Sequence, residues 1–278
     1  MNKYVSVIIA VYNEEKYIND CLSSLLKQDY QPIEIIVVDD GSIDNTVSYV
    51  NRFKSIKLFK LNHQGTAISR NYGTNHANGE ILVFVDGDMT FKENFISQLV
   101  KPINNDQTRG TFSKLEYVGN WNKPLARCWN RNNTPPLPDK LRVLQDKNEG
   151  ADFRAILKTE FVKAGGFDNT GYTDTWSLAK KLGYKPLNSP NAVYYHFNPE
   201  TYKEVFNSSQ WIGERKYKLD KIGSFIVIFR SFFILSLLKG LFRAIIYFEW
   251  QFILFQLVYD FGITQGAIKK IIKGKVIK

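Results

Sequence analysis

Cysteine is scarce in this sequence of 278 residues, which contains two. Cys21 and Cys128 lie far apart and neither belongs to a Cys-x-x-Cys pair, so we expect neither a disulfide framework nor a zinc site. Such a chain suits a reducing compartment. The first apolar run, residues 5–11, is too short for the hydrophobic region of a signal peptide and predicts a buried strand. No Gly-x-Gly-x-x-Gly follows it, which disfavours a dinucleotide-dependent oxidoreductase.

Acidic residues are scarce towards the C-terminus. The formal net charge is +10, and residues 213–278 contain twelve Lys or Arg against four Asp or Glu, so most of the positive excess lies there. These basic residues are interleaved with long apolar runs, whereas a nucleic-acid-binding face would be polar and exposed. The pattern therefore predicts a membrane surface as partner and no nucleic acid.

Short β-branched runs alternate with helical patterns over the first hundred residues. Strands are predicted at residues 5–11, 34–39, 56–60 and 81–86, with helices at 15–27, 44–53 and 66–77 between them. Parallel strands need crossover connections, so the alternation predicts an α/β fold with a Rossmann-like, mostly parallel sheet flanked by helices. Ligands bind beyond the carboxyl ends of such strands, and three of these four runs end there in polar residues.

The regular alternation stops after Asp88. A strand near 111–117, a strand and helix around 153–164, and two short strands ending at His196 follow. We interpret residues 1–212 as one domain, in which residues 1–100 form a nucleotide-binding half and residues 101–212 an acceptor-binding half. Residues 213–278 are predicted to form a basic, apolar, membrane-associating helical region.

Two apolar runs, 222–238 and 241–261, are separated by Lys239-Gly240 and predict a helical hairpin. Arg230 near the middle of the first run and Glu249 at the centre of the second disfavour a span of the bilayer. Lys239, Glu249, Gln256 and Asp260 fall along one arc of the second helix, and the rest of that helix is apolar. The hairpin is therefore expected to lie in the membrane interface, followed by a basic amphipathic tail.

Asp86-Gly87-Asp88 places two carboxylates at the end of a buried strand. Carboxylates at such a position are hard oxygen ligands for a divalent cation that also binds a diphosphate. An isolated Asp-Gly-Asp is more often an acidic turn whose side chains accept from backbone N–H groups. The rest of the sequence decides between a cation site and an acidic turn.

An ordered series of motifs over about residues 4–200 resembles family 2 glycosyltransferases, which have the GT-A fold. The series begins with Val5-Ser6-Val7-Ile8-Ile9-Ala10-Val11-Tyr12-Asn13-Glu14 and Val37-Val38-Asp39-Asp40-Gly41-Ser42. It continues through Arg70-Asn71-Tyr72-Gly73 and Asp86-Gly87-Asp88 to Gly165-Gly166-Phe167-Asp168. Each piece is short, but chance agreement over the whole order is remote. The resemblance implies a GT-A type nucleotide-diphospho-sugar transferase fold, here with a C-terminal amphipathic, apolar helical hairpin.

The resemblance also implies a donor site at the strand ends. Base and ribose would contact Tyr12, Glu14, Asp39 and Asp40, and the alternative for the two aspartates is a simple turn, with Asp44 capping the next helix. Arg70 would lie near the base and diphosphate, unless it is an exposed helical residue. Asp86 would contact ribose or diphosphate. Asp88 would bind Mg²⁺ or Mn²⁺, with His196 completing the metal shell as in several relatives or serving a structural role.

The general base of the family follows the Gly-Gly-Phe-Asp turn by about ten residues and is usually preceded by another acid. Here Asp174 takes its place and Thr173 replaces the acidic neighbour, so the tuning of the Asp174 pKa would have to come from burial or other partners. Asp174 is alternatively the N-cap of a helix at 176–182. Trp176 would stack on a sugar face or belong to the core.

The sequence thus predicts a metal-dependent, inverting glycosyltransferase of the hexosyltransferase type. It would move one sugar from a nucleoside-diphosphate sugar, with a UDP-sugar favoured, to a hydroxyl of a lipid-linked or glycan acceptor at the cytoplasmic membrane face. The Gln-x-x-Arg-Trp signature of processive members is missing, and Gln210-Trp211-Ile212-Gly213-Glu214-Arg215 has a different order. Two alternatives stay open, a polyprenyl-phosphate sugar synthase and a non-catalytic nucleotide-sugar-binding scaffold.

Overall fold

The computed structural model describes residues 2–132, 140–142, 152–169, 176–214 and 220–273. The strands are β1 (Val5–Val11), β2 (Ile33–Asp39), β3 (Lys57–Lys60), β4 (Ile81–Asp86), β5 (Met89–Phe91), β6 (Gly110–Phe112), β7 (Leu115–Val118), β8 (Ala155–Leu157), β9 (Leu187–Asn188) and β10 (Val193–His196). The helices are α1 (Ile18–Leu26), α2 (Thr46–Val50), α3 (Thr66–Asn75), α4 (Phe95–Asn104), α5 (Pro124–Arg131), α6 (Lys158–Lys163), α7 (Trp176–Leu182), α8 (Tyr202–Gly213), α9 (Asp220–Arg230), α10 (Phe233–Tyr247) and α11 (Gln251–Lys273).

A mixed seven-stranded sheet has the order β3-β2-β1-β4-β8-β6-β9. The first four strands in that order are parallel, as predicted, whereas β8 is antiparallel to both β4 and β6. The predicted helices between them are present as α1, α2 and α3. The α/β fold with a mostly parallel sheet is therefore confirmed.

The central strands are apolar because both of their faces are buried. On β1, Val7 and Ile9 pack into a core with α1 and α4, while Ile8 points into a second core on the other face with Phe84 and Phe153. A period of two residues thus supplies both cores from the same strands. This double burial explains why these runs could be recognised as strands from sequence.

A second sheet contains three strands in the order β5-β10-β7. β5 begins at Met89, directly after the Asp86-Gly87-Asp88 turn, and pairs antiparallel with β10, with His196 opposite Met89. This register places His196 beside Asp88, although the two residues are 108 positions apart in the chain.

The chain divides into two compact units. The first, here called the sheet unit, comprises residues 1–117 and 143–196, and the second, the helical unit, comprises 118–142 and 197–278. The boundary predicted after residue 212 stays a prediction about domain organisation.

The helical hairpin exists, but the predicted turn at Lys239-Gly240 is wrong. Gly240 lies inside α10, where an added Cβ would lie 3.0 Å from the Cα of Ile253 on α11. The turn comes later, at 248–250, and Phe248 closes α10 in the left-handed conformation with φ 52°. The glycine permits close helix packing here and does not end the helix.

The polar residues of this hairpin point inward. Glu249 lies in the turn, not at the centre of a helix as predicted, and accepts from Arg127 Nε at 2.5 Å and Arg131 Nη1 at 2.8 Å. Asp260 accepts from Ser236 Oγ at 2.6 Å and Lys239 Nζ at 3.1 Å. The sequence placed these carboxylates and Lys239 on a polar arc, but it did not identify Arg127 and Arg131 as the partners of Glu249.

The apolar residues of α9, α10 and the following turn point outward. Phe229 is 74% exposed, Phe242 66%, Phe248 90% and Trp250 68%. Within the described residues, no helix taken singly has the length and hydropathy of a membrane span, while Gly223–Arg230 and Phe233–Tyr247 reach them only together and are bent by 61°.

Glycines bring α8 and α11 into close contact in the helical unit. A Cβ on Gly266 would lie 2.0 Å from the carbonyl oxygen of Gln210, and one on Gly213 would lie 2.4 Å from that of Ile263. Gly262 faces Ser209 and the Phe206 carbonyl in the same way. Only glycine allows two backbones to approach this closely.

Candidate active site

The carboxyl ends of β1, β2 and β4 meet at one edge of the large sheet. In the ladder Val11 is opposite Asp39 and Ala10 is opposite Asp86. Because the strands are parallel and in register, the loops that follow them emerge side by side. Tyr12, Glu14, Asp39, Asp40, Asp86 and Asp88 are thereby brought to one edge, as the sequence predicted.

Asp39 and Asp40 are buried and bind backbone amides. Asp39 accepts from Ser42 N at 3.2 and 3.3 Å. Asp40 accepts from Gln64 N at 2.8 Å and Gly65 N at 2.9 Å, and its Oδ2 lies 3.0 Å from Nδ1 of His63. In this arrangement the two carboxylates stabilise the loops after β2 and β3. Their contact with a base stays a prediction.

Tyr12 presents its ring beside these aspartates. It stacks on His63 with 4.2 Å between ring centroids and 29° between planes. Tyr12 is partly exposed, and so is the imidazole of His63. His63 was not predicted as a site residue, because it belongs to none of the sequence motifs. The pair forms a flat, accessible surface at the strand edge, of the kind on which a planar base can stack.

Asp86 lies between two arginines. Its Oδ1 is 2.5 Å from Arg70 Nη2, and its Oδ2 is 3.3 Å from Arg154 Nη1. Burial alone would raise the pKa of Asp86, but the charges of Arg70 and Arg154 hold it well below its usual range. Asp86 is therefore ionised at neutral pH. Arg70 is buried, not exposed, and it lies at the predicted site.

Asp88 contacts His196 across the small sheet. Oδ2 of Asp88 is 2.9 Å from Nε2 of His196, and Nδ1 of the same ring is 2.9 Å from Oε1 of Glu116. Glu116 also accepts from the hydroxyl of Tyr194 at 2.9 Å. The two residues predicted to bind a metal are thus adjacent.

Glu14 has an unusual protonation state. Burial and the neighbouring charges of Asp88 and Asp86 raise the pKa of Glu14 to about 9, so its carboxyl is protonated at neutral pH. Gly87 packs closely beside it, because an added Cβ would lie 3.1 Å from Cγ of Glu14. Burial is the largest cause of this shift, and the two neighbouring carboxylates add to it.

The residues present fit a divalent cation that shares its coordination with a ligand. Within the described ranges no three His, Cys, Asp or Glu side chains form a complete metal cage. Asp88 and His196 nevertheless offer an oxygen and a nitrogen side by side, and Mg²⁺ is often bound by one or two carboxylates plus substrate phosphates. A cation here would offset the negative charges of Asp86 and Asp88, which contribute to the raised pKa of Glu14.

Helix α3 is tied to the Gly165-Gly166-Phe167-Asp168 turn by Asn71. Its Nδ2 donates to Phe167 O at 2.9 Å, and its Oδ1 accepts from Phe167 N at 3.0 Å. Gly166 has φ 73°, and an added Cβ would lie 2.7 Å from Oδ1 of Asn71, so a side chain is excluded there. The Arg-Asn motif and the Gly-Gly-Phe-Asp motif, which are far apart in sequence, therefore contact each other directly.

The predicted base lies outside the described residues. Asp174 and Thr173 belong to 170–175, and the side chain of Trp176 is likewise outside the described part, although α7 begins at this residue. Before this segment, Asp168 N donates to Ser177 Oγ at 3.1 Å, so the turn and α7 are connected.

Three buried residues of the site were missed from sequence, namely Glu116, Arg154 and Tyr194. Arg154 interrupts the apolar run Phe153-Arg154-Ala155-Ile156-Leu157, and Glu116 is the acidic residue of β7. A lone charged residue inside a buried strand is a usable signal, because it requires a partner.

The fold and these side chains define an α/β protein with an acidic site at the carboxyl ends of its parallel strands. The family model for glycosyl transferase family 2 matches residues 6–159, which is more than half of the chain. The chain therefore belongs to glycosyl transferase family 2.

Relatives agree with this assignment. An uncharacterized glycosyltransferase of Haemophilus influenzae is 32% identical over 178 residues, which cover 61% of this chain and 68% of the relative. Glycosyltransferase GlyG of Streptococcus pneumoniae is 39% identical over 108 residues, or 37% of this chain. That match spans 36% of the length of GlyG.

Solved structures show the same fold. S. aureus TarS residues 1–349 has a TM-score of 0.56 at 18% identity and covers 99% of this chain and 92% of that one. Mannosyltransferase PcManGT from Pyrobaculum calidifontis, solved with GDP-Man and Mn²⁺, has a TM-score of 0.56 at 24% identity, covering 77% of this chain and 63% of that one. The predicted GT-A fold is thereby confirmed.

Proposed function

We propose that this protein is an inverting glycosyltransferase that moves a single sugar from a nucleoside-diphosphate sugar to a hydroxyl acceptor. The observation that carries the proposal is the convergence of Glu14, Asp86, Asp88 and His196 at the carboxyl ends of β1 and β4. Neighbouring structures were solved with UDP, UDP-GlcNAc or GDP-Man, which supports this donor class. A UDP-sugar is the favoured donor.

In the proposed reaction each group has a distinct task. Tyr12 and the loops fixed by Asp39 and Asp40 hold the base and ribose. Asp86, kept ionised by its two arginines, orients the ribose or the diphosphate, and Arg70 lies beside it with a positive charge. Asp88 and His196 would hold Mg²⁺ or Mn²⁺, which stabilises charge on the departing diphosphate. Asp174 would remove the proton of the acceptor hydroxyl.

A donor screen tests this proposal. UDP and UDP-sugars, each with Mn²⁺, are expected to raise the melting temperature, because a ligand that binds only the folded state stabilises it. GDP-sugars serve as the comparison. Release of nucleoside diphosphate, measured with and without Mn²⁺, then separates a transferase from a non-catalytic scaffold. Binding without any release of diphosphate, with or without Mn²⁺ and with candidate acceptors present, would contradict the proposal.

We propose further that the acceptor is lipid-linked and that the protein works at the cytoplasmic face of the membrane. The support is the set of exposed apolar side chains of α9, α10 and the turn that follows α10, here called the apolar surface. Its polar neighbours Glu249 and Asp260 point inward, where basic side chains neutralise them. Exposed apolar area of this extent marks an interaction site. The basic excess of 213–278 suits the anionic lipids of the cytoplasmic leaflet.

Vesicle binding tests the membrane proposal. The full chain is expected to sediment with vesicles containing anionic lipid. Phe229→Ser with Phe242→Ser is expected to weaken vesicle binding about 100-fold or more, since burial of each ring contributes about 1.5–3 kcal/mol. Ile43→Ser with Val162→Ser is the matched control, because these residues are 88% and 62% exposed and lie in the sheet unit. Loss of binding in the control, or a stable dimer that hides the apolar surface without lipid, would contradict it.

A further inference from the structure

A series of hydrogen bonds, ion pairs and one cation–π contact joins the two carboxylates of Asp86-Gly87-Asp88 behind the site. It starts at Asp88, passes through His196 to Glu116, and reaches Tyr194, with each of these contacts at 2.9 Å. The guanidinium of Arg154 lies 5.2 Å from the centroid of the Tyr194 ring and 3.3 Å from Asp86. The series therefore returns to the first aspartate of the motif.

Glu116 lies in the middle of this series and contacts His196 from behind the site. It is 8% exposed, and its two oxygens are divided between the imidazole and the phenol, Oε1 towards His196 and Oε2 towards Tyr194. The hydroxyl of Tyr194 donates to Oε2 of Glu116 at 2.9 Å. A carboxylate oxygen 2.9 Å from Nδ1 favours the form of His196 in which Nδ1 carries the proton.

We propose that Glu116 is a positioning residue that fixes the proton of His196 on Nδ1 and the plane of the ring, so that Nε2 is the nitrogen presented towards Asp88 and the cation. A histidine that binds a metal commonly donates its other ring N–H to a carboxylate, which sets the tautomer and increases ligand basicity. The inference rests on the proposed function, because it concerns the metal used by that reaction.

The position of Glu116 in the fold supports this role. It belongs to β7, and His196 and Tyr194 belong to β10, in the same three-stranded sheet. Tyr194 and His196 are two residues apart, so they point to the same side of that strand. The orientation of the imidazole is therefore determined by backbone pairing and not by a loop.

The glutamine variant Glu116→Gln tests the proposal. Its amide keeps the shape of the side chain, but it can either accept from or donate to the imidazole, so both tautomers of His196 become available. In metal-free protein, nitrogen-detected NMR is expected to show Nδ1 of His196 protonated in the wild type and a mixture in the variant. The sequence has three histidines, so His63→Asn and His76→Asn complete the assignment.

Metal affinity provides the second measurement. Titration of Mn²⁺ in the presence of UDP, followed by electron paramagnetic resonance, is expected to show about 10- to 100-fold weaker binding in Glu116→Gln. Tyr194→Phe, which removes the hydroxyl from Oε2 and leaves the contact with Nδ1, is expected to have a smaller effect. Thermal unfolding shows whether each variant is folded.

Glu160→Gln is the matched control. Glu160 is also 8% exposed in the sheet unit and also accepts from a tyrosine hydroxyl, that of Tyr184 at 3.0 Å, but its other contact is Arg109. It is expected to leave the Mn²⁺ affinity and the tautomer unchanged. An unchanged tautomer or an Mn²⁺ affinity within twofold of wild type in folded Glu116→Gln would overturn the inference alone. Failure of the wild-type protein to bind Mn²⁺ with UDP would overturn the proposed function as well.

Discussion

Replacing Asp88 with asparagine is expected to lower the rate of sugar transfer about 1,000-fold, which corresponds to about 4 kcal/mol of lost transition-state stabilisation. The amide cannot supply the anionic oxygen that a hard cation prefers, and it also changes the partner of His196 Nε2, now 2.9 Å away. The folded state should be little affected, because Asp88 lies in a turn and its side chain is partly exposed.

Initial rates with saturating UDP-sugar and Mn²⁺ measure this effect. Asp106→Asn is the control, since Asp106 is an exposed aspartate of the sheet unit that pairs with Lys3 at 3.3 Å. Its rate is expected to stay within twofold of wild type, as is usual for a surface ion pair. If Asp88→Asn kept a third or more of the wild-type rate at every Mn²⁺ concentration, Asp88 would have no role in binding the cation.

Replacing Gly266 with alanine is expected to destabilise the helical unit by about 3 kcal/mol or more. The new Cβ would lie 2.0 Å from the carbonyl oxygen of Gln210 and 2.8 Å from Cα of Gly213, and both are backbone atoms that no rotamer change can move. The helices α8 and α11 must separate to accommodate it.

Chemical unfolding followed by circular dichroism measures this change. Gln265→Ala, the neighbouring position on α11, is the control, and it is expected to have an effect within about 0.5 kcal/mol because it removes no close contact between backbones. A free energy of unfolding of Gly266→Ala within about 1 kcal/mol of wild type would show that the two helices are not packed as described.

The first half of the fold could be predicted because its strands and helices follow from patterns of neighbouring residues in the sequence. Strands such as β1 and β4 are buried on both faces and contain continuous β-branched runs, and the loops after them carry the acidic motifs. Parallel pairing then brings Glu14, Asp39 and Asp86 to one edge without further assumptions. The approximate location of the donor site follows from these facts.

The residues that hold the site in place could not be predicted, because their contacts connect residues that are far apart in sequence. Glu116 finds its partners 78 and 80 positions away, and Arg154 meets Asp86 across 68 positions. No periodicity encodes such pairs. The same holds for the hairpin, where a helical projection grouped Glu249 with Asp260 but gave no indication that Arg127 and Arg131 cover Glu249 from an earlier helix.

The double hydrogen bond between Asn71 and the backbone of Phe167 has a mechanical consequence. It joins the helix that carries Arg70 to the turn that leads towards Asp174, and neither can shift by about an ångström without breaking a bond of 2.9 or 3.0 Å. A displacement of Arg70 would therefore be transmitted to the Gly165-Gly166-Phe167-Asp168 turn. Two motifs that lie 96 residues apart along the chain thus share one rigid connection.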